Sequence, residues 1–217
     1  MTAPIWLLDL DDTLHNASAH IFPRINTAMT RYVADSLGVD METANRLRTQ
    51  YWRRYGATML GMMRKHGTDP RHFLHHTHQF DNLAQLVVFD PALLRHLRRL
   101  PGRRYLFSNA PRAYLDQVLR ITGLHRVLHG SFSIEDLGFH PKPQRLAYQT
   151  VLRRLGVSAR HCIMVEDSVA NLREAKRLGM RTVWVSPTAK RPVWVDKLVR
   201  TPRQLALPMH NSGPEQG

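Results

Sequence analysis

Four short apolar runs, rich in β-branched or aromatic residues, recur along the chain: IWLLDL from Ile5, RRYLFSN from Arg103, HCIMVED from His161 and RTVWVS from Arg181. Amphipathic patterns separate the later runs, over Tyr114 to Ile121, Arg145 to Leu155 and Ser168 to Leu178. Strands alternating with helices predict a parallel sheet in an α/β fold. Ligands of such sheets bind at the carboxyl ends of the strands. Those ends read Asp9, then Ser108 with Asn109, then Glu166 with Asp167, then Ser186. The first three carry groups suited to phosphate or metal chemistry, and they converge on one end of the sheet.

A different region lies between the first run and the second. Ile21, Ile25, Ala28, Met29, Tyr32, Val33 and Leu37 follow one helical face, and Gly38, Gly56 and Gly67 punctuate further helical patterns. This predicts a helical cap at 16–85, inserted after the first strand and roofing the crevice. The α/β core then comprises 1–15 and 86–206, with a frayed tail at 207–217.

At 217 residues the chain can bury a core of this size, and its 43% apolar content argues against wholesale disorder. No apolar stretch approaches the roughly 20 residues of a membrane span. Asp9 interrupts the only N-terminal apolar run, so no signal peptide is expected. Cys162 has no partner in the chain, which fits a cytoplasmic protein, and its apolar neighbours mark it as core. Lys and Arg total 31 against 17 acids, a net charge of +14. Such a field attracts phosphorylated substrates or nucleic acid. The basic residues fall in scattered pairs rather than an aromatic-interleaved tail, so a solvated basic surface is favoured over a nucleic-acid site.

Hydrolysis of a phosphate ester needs a nucleophile, an acid for the leaving oxygen and positive charge around the phosphoryl group. Asp9 at a strand end can attack phosphorus, and Asp11 can serve as acid and then base. Asp9, Asp11 and Asp12 crowd three like charges, which a cation would relieve; Mg²⁺ takes oxygen ligands, and Asp9 with Asp167 can supply them. Thr13 and Glu166 would support this site from behind. The plainer alternative is that residues 11–13 form only a turn and helix cap. Ser108 and Asn109 precede a helix start at Pro111, where N–H groups can cradle phosphate. Lys142, between two prolines at the start of another helix, opposes the helix dipole unless it faces an anion.

The ordered set DLDDT, FSN, PKP and VEDS resembles the four motifs of the haloacid dehalogenase-like hydrolase superfamily, over nearly the whole chain. The resemblance implies a Rossmann-like core with a type-1 helical cap. It implies Asp9 as nucleophile and Asp11 as acid and base. It further implies Mg²⁺ on Asp9, Asp167 and the backbone carbonyl of Asp11, and phosphate on Ser108 and Lys142. The dehalogenases of this superfamily lack the acid two residues after the nucleophile, so Asp11 implies phosphoryl chemistry. Within the superfamily, DLDDTLHNAS, YWRRYGATMLGM and MVEDSVANLREAKRLGM are most similar to the pyrimidine 5′-nucleotidase branch. Glu166 stands where many relatives carry Asp.

The expected function is therefore hydrolysis of a small phosphorylated substrate, a pyrimidine nucleoside 5′-monophosphate. His15, Asn16, Tyr55 and Thr58 are the expected polar contacts to it. Rival readings are a sugar-phosphate phosphatase or phosphomutase with the same core, and a non-catalytic nucleic-acid-binding member. His72 and His76 have zinc-compatible i, i+4 spacing but match no ligand pattern. Met59, Met62 and Met63 are assigned to helix core rather than to a nucleobase wall.

Overall fold

A computed structural model of the protein describes residues 3–187 and 190–206; the tail expected at 207–217 lies outside the described residues. The chain runs β1 (Ile5–Leu8), α1 (Ile21–Leu37), α2 (Met41–Tyr55), α3 (Thr58–His66), α4 (Pro70–Thr77) and α5 (Leu83–Leu86). It continues α6 (Ala92–Arg99), β2 (Arg103–Phe107), α7 (Arg112–Thr122), β3 (Gly130–Phe132) and α8 (Arg145–Leu155), then β4 (Cys162–Glu166), α9 (Val169–Arg177), β5 (Arg181–Val185) and β6 (Lys197–Val199).

The six strands form one parallel sheet in the order β3-β2-β1-β4-β5-β6, a Rossmann-like α/β arrangement with flanking helices. β1 and β4 are buried at every position, as strands covered on both faces must be. Because β1 is central, register does the decisive work. Leu8 pairs with Leu106 on one side and with Val165 on the other. The residues just beyond all three strands therefore emerge side by side. All four apolar runs are strands, as their composition predicts. β3 and β6 carry no strand signal in the sequence: each has only three residues, and Gly130, Ser131 and Lys197 are not apolar strand formers.

The chain divides into two compact units. One holds the described residues of 1–16, 89–109 and 122–217, including the whole sheet. The other holds 17–88 and 110–121. In the sequence, 110–121 reads as part of the core; here Tyr114 on α7 packs its ring against those of His78 and Phe80, at 6.0 and 5.7 Å. Within the helical unit, Asp40 caps α2 by accepting from the N–H of Thr43 at 2.9 Å. Gly56 ends α2 at φ 85, a conformation that side chains resist. Gly61 lets α3 approach α2 closely: a Cβ there would meet the Tyr51 side chain at 2.2 Å. Met59 and Met62 are buried in this unit, which fits helix core. Among the described residues no helix is long and apolar enough to cross a membrane.

Candidate active site

β1 ends at Leu8, and the Asp9 N–H donates to the Val165 carbonyl at 3.0 Å, extending the pairing with β4 by one residue. This sets Asp9 beside Glu166 and Asp167. Among the described residues, these three are the group of acids, histidines or cysteines whose ligating atoms lie within 4.8 Å of one another. Thr13 lies between two of them: its hydroxyl is 3.2 Å from both Asp9 Oδ2 and Asp167 Oδ1 and can donate to either. The same oxygen accepts from the Asp167 N–H at 3.1 Å. The following helix α1 starts only at Ile21, with His20 as its N-cap, so residues 11–13 do not cap it. That removes the helix-cap explanation of these acids.

Lys142 reaches the cluster from the loop before α8. Its Nζ donates at 2.7 Å to each of three acceptors: Asp9 Oδ1, Glu166 Oε2 and the carbonyl of Phe107. An ammonium has three N–H groups, so every donor is engaged. Lys142 lies upstream of α8, whose N-cap is Gln144. Asn109, grouped in the sequence with the phosphate contacts, spends its side-chain amide on Lys142. Oδ1 accepts from the Lys142 N–H at 2.7 Å, and Nδ2 donates to the Lys142 carbonyl at 3.0 Å. This two-point clamp holds the lysine loop against the end of β2. Ser108 is buried, and its N–H donates to the Phe132 carbonyl at 3.0 Å.

The electrostatics follow from burial. Asp9, 7% exposed, is pushed up to about 7 by desolvation and by the charge of Glu166, against the pull of Lys142. Glu166, 1% exposed, is likewise raised to about 7 by desolvation and then Asp167, with Lys142 again opposing. Asp167 is raised by partial burial and by Asp9. Burial alone would lower Lys142, but Asp9 and Glu166 outweigh it and raise its value. The site thus holds more negative than positive groups in largely desolvated surroundings. An all-oxygen donor set with surplus negative charge fits a hard divalent cation such as Mg²⁺.

Further contacts fix the loops, and the sequence offers no cue to them. The Trp184 indole on β5 donates to the Asp167 carbonyl at 2.8 Å, and the buried Tyr148 hydroxyl donates to the Asn171 carbonyl at 2.8 Å. Ser168 makes no side-chain cap to α9; instead its N–H donates to Glu166 Oε1 at 3.3 Å. His15, expected to contact substrate, is buried with its Nε2 2.8 Å from Asp11 Oδ1. Asn16 is exposed. Tyr55 and Thr58 belong to the helical unit. The Tyr55 ring lies under the guanidinium groups of Arg54 and Arg64, and the Thr58 hydroxyl donates to the Arg48 carbonyl at 3.2 Å. His72 and His76 stack with centroids 4.0 Å apart; Tyr32 lies 2.7 Å from His72 Nδ1, and His76 Nδ1 donates to the His72 carbonyl at 2.8 Å.

Asp9 and Asp167 at the strand ends and Lys142 from the loop before α8 thus meet in one cluster, the arrangement of a candidate active site. Residues 6–179 match the family described as haloacid dehalogenase-like hydrolase, and the chain belongs to that family. It is 22% identical over 192 residues to Phosphate metabolism protein 8 of Saccharomyces cerevisiae, covering 81% of this chain and 59% of that protein's length. The fold is similar to that of a HAD phosphatase from Thermococcus onnurineus, with TM-score 0.63 and 20% identity, covering 93% of this chain and 94% of that one. It is also similar to 2-haloacid dehalogenase from Pseudomonas syringae pv. Tomato DC3000, with TM-score 0.59 and 22% identity, covering 94% of this chain and 96% of that one.

Proposed function

We propose that the protein is a Mg²⁺-dependent phosphomonoester hydrolase that acts through an aspartyl-phosphate on Asp9, with pyrimidine nucleoside 5′-monophosphates as substrates. The observation that carries this reading is the constellation of buried Asp9, Thr13 and Lys142 with half-buried Asp167, and Asp11 two residues beyond the nucleophile. Relatives of similar fold include both a phosphatase and a dehalogenase, and the presence of Asp11 favours phosphoryl transfer, which needs an acid for the leaving oxygen.

In the first half-reaction a carboxylate oxygen of Asp9 attacks phosphorus. The bond to the leaving oxygen breaks, and that oxygen takes a proton from Asp11. In the second, Asp11 accepts a proton from water as the water oxygen attacks phosphorus. The bond to Asp9 then breaks, releasing phosphate and restoring the carboxylate. Lys142 opposes the desolvation that raises Asp9, favouring its carboxylate form, and orients Oδ1. Thr13 holds Oδ2 of Asp9 and the loop of Asp167 in register. Ser108, with the N–H groups that follow it, is the phosphate cradle. Asp9, Asp167 and the Asp11 carbonyl, with Glu166 behind them, would hold Mg²⁺, which would supply positive charge to the phosphoryl oxygens.

The helical unit acts as cap and selects the substrate, through Tyr55 and Thr58 with Asn16. The test is a panel of phosphomonoesters with Mg²⁺. Release of phosphate with the highest kcat/KM on UMP or CMP is expected. A preference for hexose phosphates would overturn the nucleotide assignment, and no release from any ester would overturn the phosphatase reading.

A further inference from the structure

His15 ends the loop that follows β1 and is 4% exposed. Its Nε2 lies 2.8 Å from Asp11 Oδ1, while its Nδ1 is buried with no hydrogen-bond partner among the described residues. The backbone brings the ring there. The N–H groups of Thr13, Leu14 and His15 all reach the Leu10 carbonyl, at 3.3, 2.9 and 3.3 Å. Asp12 takes φ 59, a left-handed conformation that Asp tolerates better than most residues. Residues 11 and 15 then form an isolated bridge.

A neutral imidazole carries one N–H and one bare lone pair. With the proton on Nδ1, the ring would bury a donor with no acceptor, and Nε2 could bond Asp11 only by accepting a proton from it. With the proton on Nε2, the donor is used in the 2.8 Å contact and only a lone pair goes unpartnered. Buried N–H groups without acceptors are the rarer of the two defects.

We propose that His15 is a positioning residue for the acid–base group: its Nε2–H donates to Asp11 Oδ1 and thereby assigns the mobile proton to Oδ2. This role rests on the reading of Asp11 as acid and base given above. Oδ2–H protonates the leaving oxygen as its bond to phosphorus breaks. Oδ2 then takes the proton of the attacking water as the bond from phosphorus to Asp9 breaks. His15 itself neither gains nor loses a proton and touches no reacting atom.

Two measurements test this. Long-range proton–nitrogen spectroscopy of imidazole-labelled enzyme at neutral pH reads the tautomer directly. Nε2–H is expected, and Nδ1–H would overturn the proposal whatever the activity. The second uses three variants: His15→Gln puts an amide donor near Nε2, His15→Asn puts one near Nδ1, and His15→Phe keeps the ring without a donor. General acid–base help is worth roughly 10²–10⁴-fold. Against p-nitrophenyl phosphate, Phe and Asn should lower kcat by about tenfold to a hundredfold, with KM within about twofold, and Gln should restore most of it. Equal losses in all three, following their melting temperatures, would mean a packing role only and overturn the proposal. If the wild-type enzyme hydrolyses no phosphomonoester, the phosphatase reading fails and takes this role with it. If the wild type is active and His15→Phe keeps its kcat, only the role of His15 fails.

Discussion

Lys142 Nζ lies 2.7 Å from Asp9 Oδ1, with both side chains buried and Glu166 Oε2 at the same distance from the ammonium. One cation thus stands between two acids that burial pushes up to about 7. In the proposed mechanism Asp9 attacks as a carboxylate, and the charge of Lys142 favours that state.

Removing this cation should be costly to the fold as well as to turnover. Breaking a buried ion pair by deleting one partner costs on the order of 3–5 kcal/mol, because the other charge is left uncompensated. Lys142→Met should therefore lower the urea midpoint by a corresponding amount and abolish turnover. Wild-type stability in that variant would show that the pair contributes nothing.

Asp9→Asn should be inactive yet folded, since the amide keeps the shape but is a very poor nucleophile. Asp11→Asn should slow turnover by roughly 10²–10⁴-fold, the usual worth of general acid–base catalysis. Circular dichroism and single-turnover phosphate release would separate the two. Appreciable turnover in purified Asp9→Asn would remove Asp9 from the nucleophile's place.

The metal-free protein should lose stability as pH rises from about 4 to about 7. Asp9 and Glu166 titrate normally near 3.8 and 4.5 but near 7 when folded, so the folded chain binds more protons across that window. Stability is then greatest with these acids protonated and falls as they ionise. Lys142 is raised from an ordinary value of 10.5, so its contribution is intact throughout this window and is lost only at higher pH. Melting temperatures in EDTA should decline across the window. Mg²⁺ should raise them more at about pH 8 than at about pH 5. An equal gain from Mg²⁺ at both values would be incompatible with binding to these carboxylates.

Substrate choice should reside in the helical unit. Tyr55→Ala removes the ring that Arg54 and Arg64 cover, and Thr58→Val removes a hydroxyl bonded to Arg48. Polar groups discriminate between substrates better than apolar fit does. Both changes should narrow the ratio of kcat/KM for UMP over AMP while sparing p-nitrophenyl phosphate. An unchanged ratio in both variants would move specificity elsewhere.

What the sequence determines here is whatever a local pattern can carry. The runs ending in Asp9, Ser108 and Glu166 read as strands because buried parallel strands are continuously apolar, and the acids that close them stand out against that background. β3 and β6 are illegible in the sequence because three residues are too few to show a period. Only the tertiary structure decides partners. The register of β1 between β2 and β4 sets Asp9 beside Asp167, and the Asn109 clamp on the backbone of Lys142 joins residues 33 apart. His15 reads as a substrate contact by its place in the loop that leads into the helices; the three bonds to the Leu10 carbonyl bring its ring to Asp11. Side-chain period is local, whereas the direction of a side chain beyond a strand end depends on every pairing that fixes the loop.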